Sequence, residues 1–226
     1  MSESTGGPQL PLLDARLQCL ADLVPPCDIA ADIGADHGRL ACYLLARNVC
    51  RRMIVNDISE DSLSKSRRLL ELHGLSARAS LIRADGLDAL TEPVSAVVIA
   101  GMGGRTIAEI IQKHEKIGPA RLIVSAHTEM HMLRERLYEY GFFFEKEVVV
   151  RAGGRYYTVL AAKRGPAQYT PSELYLGARL TGSCVLDYLE WKRRVAAVRR
   201  DNHRDTYVQW LTEAIESEKS KQQVDL

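Results

Sequence analysis

Between residues 27 and 126 short apolar runs alternate with amphipathic stretches, and this alternation limits the fold more than any other feature. The runs are CDIAADI, RRMIVNDI, ASLIRADGL, AVVIAGMGG and RLIVSA; the stretches between them include RLACYLLARN, Ser59 to His73, and RTIAEIIQKH. Strands that alternate with helices of ten to fifteen residues predict parallel crossovers and a doubly wound sheet. A helix is expected ahead of them, where Leu13, Leu17, Leu20 and Val24 recur at helical spacing before Pro25-Pro26. Another is expected from Thr128 to Tyr140. The stretch FFFEKEVVVRAGGRYYTVLAA reads as two strands joined at Ala152-Gly153-Gly154, an antiparallel hairpin on the sheet edge. The expected class is α/β, a Rossmann-like sheet with an antiparallel edge.

After Gly165-Pro166 and Pro171 the texture changes. Residues 172–222 contain no proline and repeat Leu180, Leu186, Leu189, Trp191, Val195, Val198, Tyr207, Trp210, Leu211 and Ile215. This predicts two amphipathic helices packed antiparallel, with a break near Asp201-Asn202. Two domains are therefore expected, 12–165 and 171–222, behind a flexible lead over residues 1–11.

Composition excludes several classes. With 46% apolar and 26% charged residues the chain can build a core, and no run approaches the ~18 apolar residues of a membrane span. Thirty Lys+Arg against 29 Asp+Glu leave a net charge of +1, which argues against indiscriminate adhesion to nucleic acid. The polar opening MSESTGGPQLP has no signal-peptide pattern, so a cytoplasmic protein is expected. Cysteines 19, 27, 42, 50 and 184 have no CxxC spacing, so reduced, mostly buried thiols and no metal site are expected.

The chemistry concentrates at strand ends. In Asp32-Ile33-Gly34-Ala35-Asp36-His37-Gly38 the glycines allow a tight turn and a close approach to a ligand. Asp57 closes the next strand 19 residues after Gly38, a spacing that suits a carboxylate accepting both hydroxyls of a ribose. Asp85-Gly86 closes the third strand, in place for a polar contact to an adenine amino group. A dinucleotide would need the full GxGxxG to seat its pyrophosphate, and here Asp36 would repel it. S-adenosylmethionine has no phosphate and carries cationic sulfonium and ammonium groups, which an acidic turn favours. After the fourth strand comes Gly101-Met102-Gly103-Gly104, a loop poor in side chains with room for a large planar base but no built-in general base.

ADIGADHGRL, Asp85-Gly86-Leu87, IAGMGG, LRERLY at 133–138 and the GGRYYTVLAA hairpin together resemble the bacterial tRNA adenine-22 N1-methyltransferases. The resemblance covers most of residues 12–165. It implies a Rossmann-like methyltransferase domain, a coiled-coil-like C-terminal helical domain, S-adenosylmethionine as donor and tRNA as substrate. The donor would be held by Asp32, Gly34, Ala35, His37, Asp57, Ile58, Asp85, Gly86, Ala100, Gly101 and Met102. Family members carry Gln-Pro-Asn after the fifth strand where this chain has Ser125-Ala126-His127.

N1 of adenine has an in-plane lone pair, so alkylation needs alignment and exclusion of water rather than prior deprotonation. Asp36 is the candidate for stabilising the developing cation, with His127 at the adenine edge. For tRNA contacts the candidates are Arg39, Gly103, Arg105, Lys192, Arg193 and Arg199, within a stretch from Lys192 to Arg204 that carries six basic residues against one Asp. That run also fits a solvated helix face. A small-molecule methyltransferase and a non-catalytic RNA-binding protein remain alternatives, a dehydrogenase a more distant one. The chain could act as a monomer or a homodimer.

Overall fold

The computed structural model describes residues 9–224; most of the lead read over 1–11 lies outside them. Five parallel strands form the centre of the molecule: β1 (Cys27–Ile33), β2 (Cys50–Asp57), β3 (Ala79–Arg83), β4 (Ala96–Met102) and β5 (Arg121–Ala126). The antiparallel hairpin of β6 (Phe142–Ala152) and β7 (Arg155–Arg164) continues the sheet, and the two-residue β8 (Leu180–Thr181) ends it. The strand order is β3-β2-β1-β4-β5-β7-β6-β8, so the chain reverses its direction of travel between β1 and β4. Ligands of open α/β sheets bind at the carboxyl ends of the strands beside such a reversal.

Helices cover both faces. On one side lie α1 (Ala15–Leu23), α2 (Arg39–Ala46) and α3 (Glu60–Leu72); on the other, α4 (Gly104–Ile110) and α5 (Met130–Glu139). The central strands are apolar on both faces because both are covered. In β1, Ile29, Ala31 and Ile33 join the α4–α5 core while Ala30 joins the α1–α2 core. Asp32 follows the period of two and points to the α1–α2 side. The helix read over Ser59–His73 is α3, started by the Ser59 hydroxyl accepting the N–H of Ser62 at 3.3 Å.

The tail differs from its sequence reading. A short α6 (Pro171–Leu176) and β8 precede the two long helices, α7 (Val185–Ala197) and α8 (Arg204–Val224), so residues 172–184 do not join the first of the two long amphipathic helices. Gly177 and Gly182 interrupt the segment at φ +117° and +116°. At Gly177 a Cβ would stand 2.4 Å from Glu147 Oε2, and at Gly182 2.5 Å from the Val149 carbonyl, so the chain must lie flat on β6. The break between α7 and α8 covers residues 198–203, around Asp201-Asn202. Arg199 lies over Tyr207 near the bend and Glu190 pairs with Lys219 further along, which makes the two helices antiparallel. Their core is Val185, Tyr188, Leu189, Ala196, Leu211 and Ile215.

All five cysteines are unbridged. Burial pushes the thiols of Cys19 and Cys42 up to about 11 and that of Cys50 to about 12, which leaves them protonated and unreactive at neutral pH. Among the described residues no helix is long and apolar enough to cross a membrane.

Candidate functional site

Two cavities open at the carboxyl ends of β1, β2 and β4 and meet at Gly34 and Met102. The first, about 270 Å³, lies between β2 and the start of α4. Its apolar walls are Ile33, Ile58, Leu87, Met102 and Ile110, and its polar groups include Asn56, Asp57, Asp85, Thr106 and Lys113. The second, about 400 Å³, lies under α1 and takes in Arg16, Asp32, Gly34, Ala35, Asp36, His37, Arg39, Ala100, Gly101, Met102 and His127.

The glycine turn is tied down from below. The backbone carbonyl of Asn56 accepts the N–H groups of Gly34 (2.9 Å) and Ala35 (2.8 Å). The Asn56 amide in turn donates to the carbonyls of Ile82 (3.0 Å) and Ala84 (2.9 Å), which closes β2 against the end of β3. Asp57 accepts the N–H of Asp36 at 3.1 Å and of Ser59 at 2.8 Å. Each carboxylate oxygen accepts one of these bonds, and Asp57 lines the first cavity. Asp36 takes φ +49°, a left-handed conformation that this network holds in place. Its own carboxylate reaches the Ser62 hydroxyl (3.4 Å) and His37 Nε2 (3.3 Å).

Asp32 is buried, and among the described residues it forms no ion pair. Burial, then the neighbouring charge of Asp57, pushes its carboxyl up to about 7. Across the same cavity Arg16 carries a buried Nη1 with no hydrogen-bond partner among the described residues, and its guanidinium lies over the ring of Tyr157 at 5.5 Å. A carboxylate and a guanidinium facing one cavity complement a zwitterionic amino acid, and Asp57 in the adjoining apolar cavity complements a ribose. These residues fit S-adenosylmethionine, whose ribose and zwitterionic methionyl group would meet complementary groups in the two cavities.

The loop after β4 has a packing reason for its last glycine. A Cβ on Gly104 would stand 2.6 Å from the Glu129 carbonyl and 2.7 Å from that of Thr128. The N–H of Gly104 donates to Thr128 (3.0 Å), and that of His127 to Met102 (2.8 Å), so the β4 and β5 loops are laced together. His127 is thereby held at the mouth of the second cavity, edge-on to Tyr157 at 5.6 Å. Loss of water around the ring, then the charge of Arg16, holds its imidazole below the usual range. At neutral pH it is an uncharged donor or acceptor. Of Ser125-Ala126-His127, only His127 opens to this cavity; Ser125 is buried inside the sheet, opposite Ala100.

The other substrate candidates lie further out. Gly103 and Arg105 begin α4 beside the mouth, and Arg105 faces Glu129 at 3.6 Å. Arg193 lies on α7 away from the cavity walls, and Arg199 pairs with Asp201 at 2.5 Å. Lys192 turns inward: its ammonium sits over Tyr175 at 4.2 Å and donates to the Tyr175 carbonyl. Asn56 and Arg16 join the site although the motifs do not include them. A polar Asn inside an apolar strand, directly before Asp57, is a usable signal; a lone Arg on an amphipathic helix is not.

Residues 13–160 match the family model described as a methyltransferase domain. The chain is similar to the tRNA (adenine(22)-N(1))-methyltransferase of Bacillus subtilis, 28% identical over 94% of this chain and 91% of that one. It is also 30% identical to the Mycoplasma pneumoniae protein named "Putative tRNA methyltransferase", over 73% of this chain and 79% of the other. A Streptococcus pneumoniae protein solved in complex with S-adenosyl-L-methionine superposes with a TM-score of 0.84 at 26% identity, covering 90% of this chain and all of that one.

Proposed function

The chain belongs to the methyltransferase-domain family, in its tRNA methyltransferase branch, and from that premise we propose that it methylates N1 of an adenine in tRNA, at position 22, with S-adenosylmethionine as donor. The observation that carries this reading is the pair of joined cavities whose charged groups match the donor part by part. We take residues 12–165 as the catalytic domain, 171–222 as the helical domain, and the cytoplasm as its place of action.

S-adenosylmethionine supplies an electrophilic methyl group on a sulfonium. The chain's own residues orient and shield. Asp57 would accept the ribose hydroxyls, Ile58 and Ile110 would cover the adenine, and Asp85 would lie at its edge, all three regions being walls of the first cavity. In the second cavity Asp32 would hold the methionyl ammonium and Arg16 its carboxylate. The target adenine, drawn out of its stack at a cost of a few kcal/mol, enters beside Gly101, Met102 and His127. N1 attacks the methyl carbon with its own lone pair while the carbon–sulfur bond breaks and its electron pair returns to sulfur. The neutral thioether S-adenosylhomocysteine leaves, and no base is needed. The ring becomes cationic, and Asp36, at the rim of the same cavity, is the carboxylate that stabilises the charge. The neutral His127 ring offers a hydrogen bond to the base edge.

The direct test is transfer of labelled methyl from S-adenosylmethionine to unmodified bulk tRNA, followed by nuclease digestion. Label in 1-methyladenosine is expected. Label only in low-molecular-weight extract would replace this reading with a small-molecule methyltransferase; tRNA binding without transfer, donor in excess, would replace it with an RNA-binding protein.

The basic run on and after α7 supports electrostatic docking of the tRNA. Arg39, Arg105, Arg193 and Arg199 are proposed phosphate contacts. Alanines at Arg193, Arg194 and Arg200 should weaken tRNA binding and lower the slope of log affinity against log salt by about 0.7–0.9 for each phosphate no longer neutralised. Titration at several salt concentrations reads this; an unchanged slope removes the tail from the docking surface.

A further inference from the structure

A third cavity, of about 200 Å³, lies where β7 faces α7, and the methyl-transfer roles leave it unused. It shares His127 with the methionine-side cavity. Tyr157 belongs to its wall and also reaches His127 and Arg16, so one aromatic ring and one histidine separate it from the transfer site. Tyr175 and Tyr188 form its floor and are 6% and 5% exposed. Both faces of Tyr175 are taken, by Tyr207 at 3.8 Å and by the Lys192 ammonium at 4.2 Å. The aromatic surface left to a ligand is Trp191, 40% exposed at the rim, with Tyr156 5.8 Å away. Arg199 stands at the same rim. The one acidic wall residue, Glu129, faces Arg105.

We propose that this cavity is a subsite for the unpaired nucleobase next to the methylated adenine in the same RNA strand, stacked on the exposed Trp191 ring with its phosphate at Arg199. The inference rests on the tRNA reading above. Drawing one adenine into the transfer cavity pulls its neighbour out of register, and an aromatic surface one residue away offsets that unstacking. Aromatic planes beside a guanidinium suit a planar, anionic ligand whatever its base. Val195 and Val198 extend Trp191 into an exposed apolar stripe, but Arg194, four residues before Val198, and Arg199, at the cavity rim, flank it. A second copy of this chain would bring the same positive charges against them, whereas RNA neutralises them.

The chain has two tryptophans, so Trp210→Phe leaves Trp191 as the sole tryptophan, which can be excited selectively at the red edge beyond tyrosine absorption. Its fluorescence should be quenched by unmodified tRNA and not by S-adenosylmethionine alone. In the otherwise unaltered protein, Trp191→Ala should raise KM for tRNA roughly 5- to 100-fold, with donor affinity unchanged and Trp191→Phe restoring most of the loss. An abasic nucleotide beside the target should impair the unaltered enzyme similarly and the Trp191→Ala enzyme little further. Normal labelling of tRNA with an unchanged KM overturns the subsite; so does a Trp191→Ala protein that sediments as a monomer where the unaltered one is a dimer. Failure of the tRNA reading shows separately, as absence of label with the unaltered protein.

Discussion

Asp32→Asn should make the ligand-free protein more stable at pH 8, leave it no more stable at pH 4, and remove tight binding of the donor. Burial holds the Asp32 carboxyl at about 7, against 3.8 in a solvated chain. The folded state therefore keeps its proton over a range in which the unfolded state has lost it. Below about pH 4 both states are protonated and the burial costs nothing. Between about 4 and 7 stability falls as pH rises, because the unfolded state binds fewer protons. Above 7 the cost is constant, at most about 4 kcal/mol at 1.36 kcal/mol per pH unit. Asparagine abolishes the ionisation, and its unpaired amide returns part of the gain, so about 1–3 kcal/mol of stabilisation is expected at pH 8. Denaturation at the two pH values measures it, and equal effects at both would refute the burial account.

Donor affinity should move the other way. The ammonium binds ionised Asp32, so affinity in the unaltered protein should weaken up to tenfold per pH unit below about 7 and level off above. The asparagine variant should show a flat profile at an affinity lower by about 100-fold, the worth of one partly buried charge pair. Calorimetric titration across pH 5–9 separates the two. The site thus holds a carboxylate that the fold alone would be better without.

The second large effect concerns stability away from the site. Arg134 on α5 and Glu147 on β6 are both fully buried and meet at 2.9 Å (Nε to Oε1). The guanidinium also reaches the carbonyls of Leu174 and Tyr175, each at 3.4 Å, so one side chain fastens α6 to the sheet edge. Arg134 Nη2 and Glu147 Oε2 have no hydrogen-bond partner among the described residues, so the pair is incompletely satisfied. Arg134→Met leaves Glu147 as an uncompensated buried charge and should cost about 3–5 kcal/mol. For a chain of this size the melting temperature should fall by roughly 6–20 °C. The double replacement Arg134→Met, Glu147→Leu should recover most of the loss, since an apolar pair needs no desolvation of charge. A double variant as unstable as the single one would show that the ion pair itself, and not the orphaned charge, holds α6.

Much of the site was legible because its residues sit at strand ends. In a parallel sheet every such end faces the same edge, so Asp57 and Asp85 had to converge with the glycine turn after β1. The choice of a cationic donor over a dinucleotide also followed from local charge. Lys192 shows the limit of that reasoning. Within a run of basic residues it reads as a phosphate contact, but its position on α7 carries the ammonium under Tyr175, a residue 17 places earlier. Which face of a helix is covered depends on what packs against it, and no periodicity in α7 reports the ring of Tyr175.

The order of strands and helices, the glycine turn and the strand-end acids were set by the sequence alone, because they depend on the period of apolar residues and on backbone freedom within a few positions. Only the tertiary structure decided that Arg16 faces Asp32 across one cavity, that residues 172–184 become a short helix and an edge strand, and that Tyr156, Tyr157 and Trp191 gather beside His127. Those groupings join residues far apart in the chain, brought together by packing on the sheet, and long-range burial leaves no local signature in a sequence.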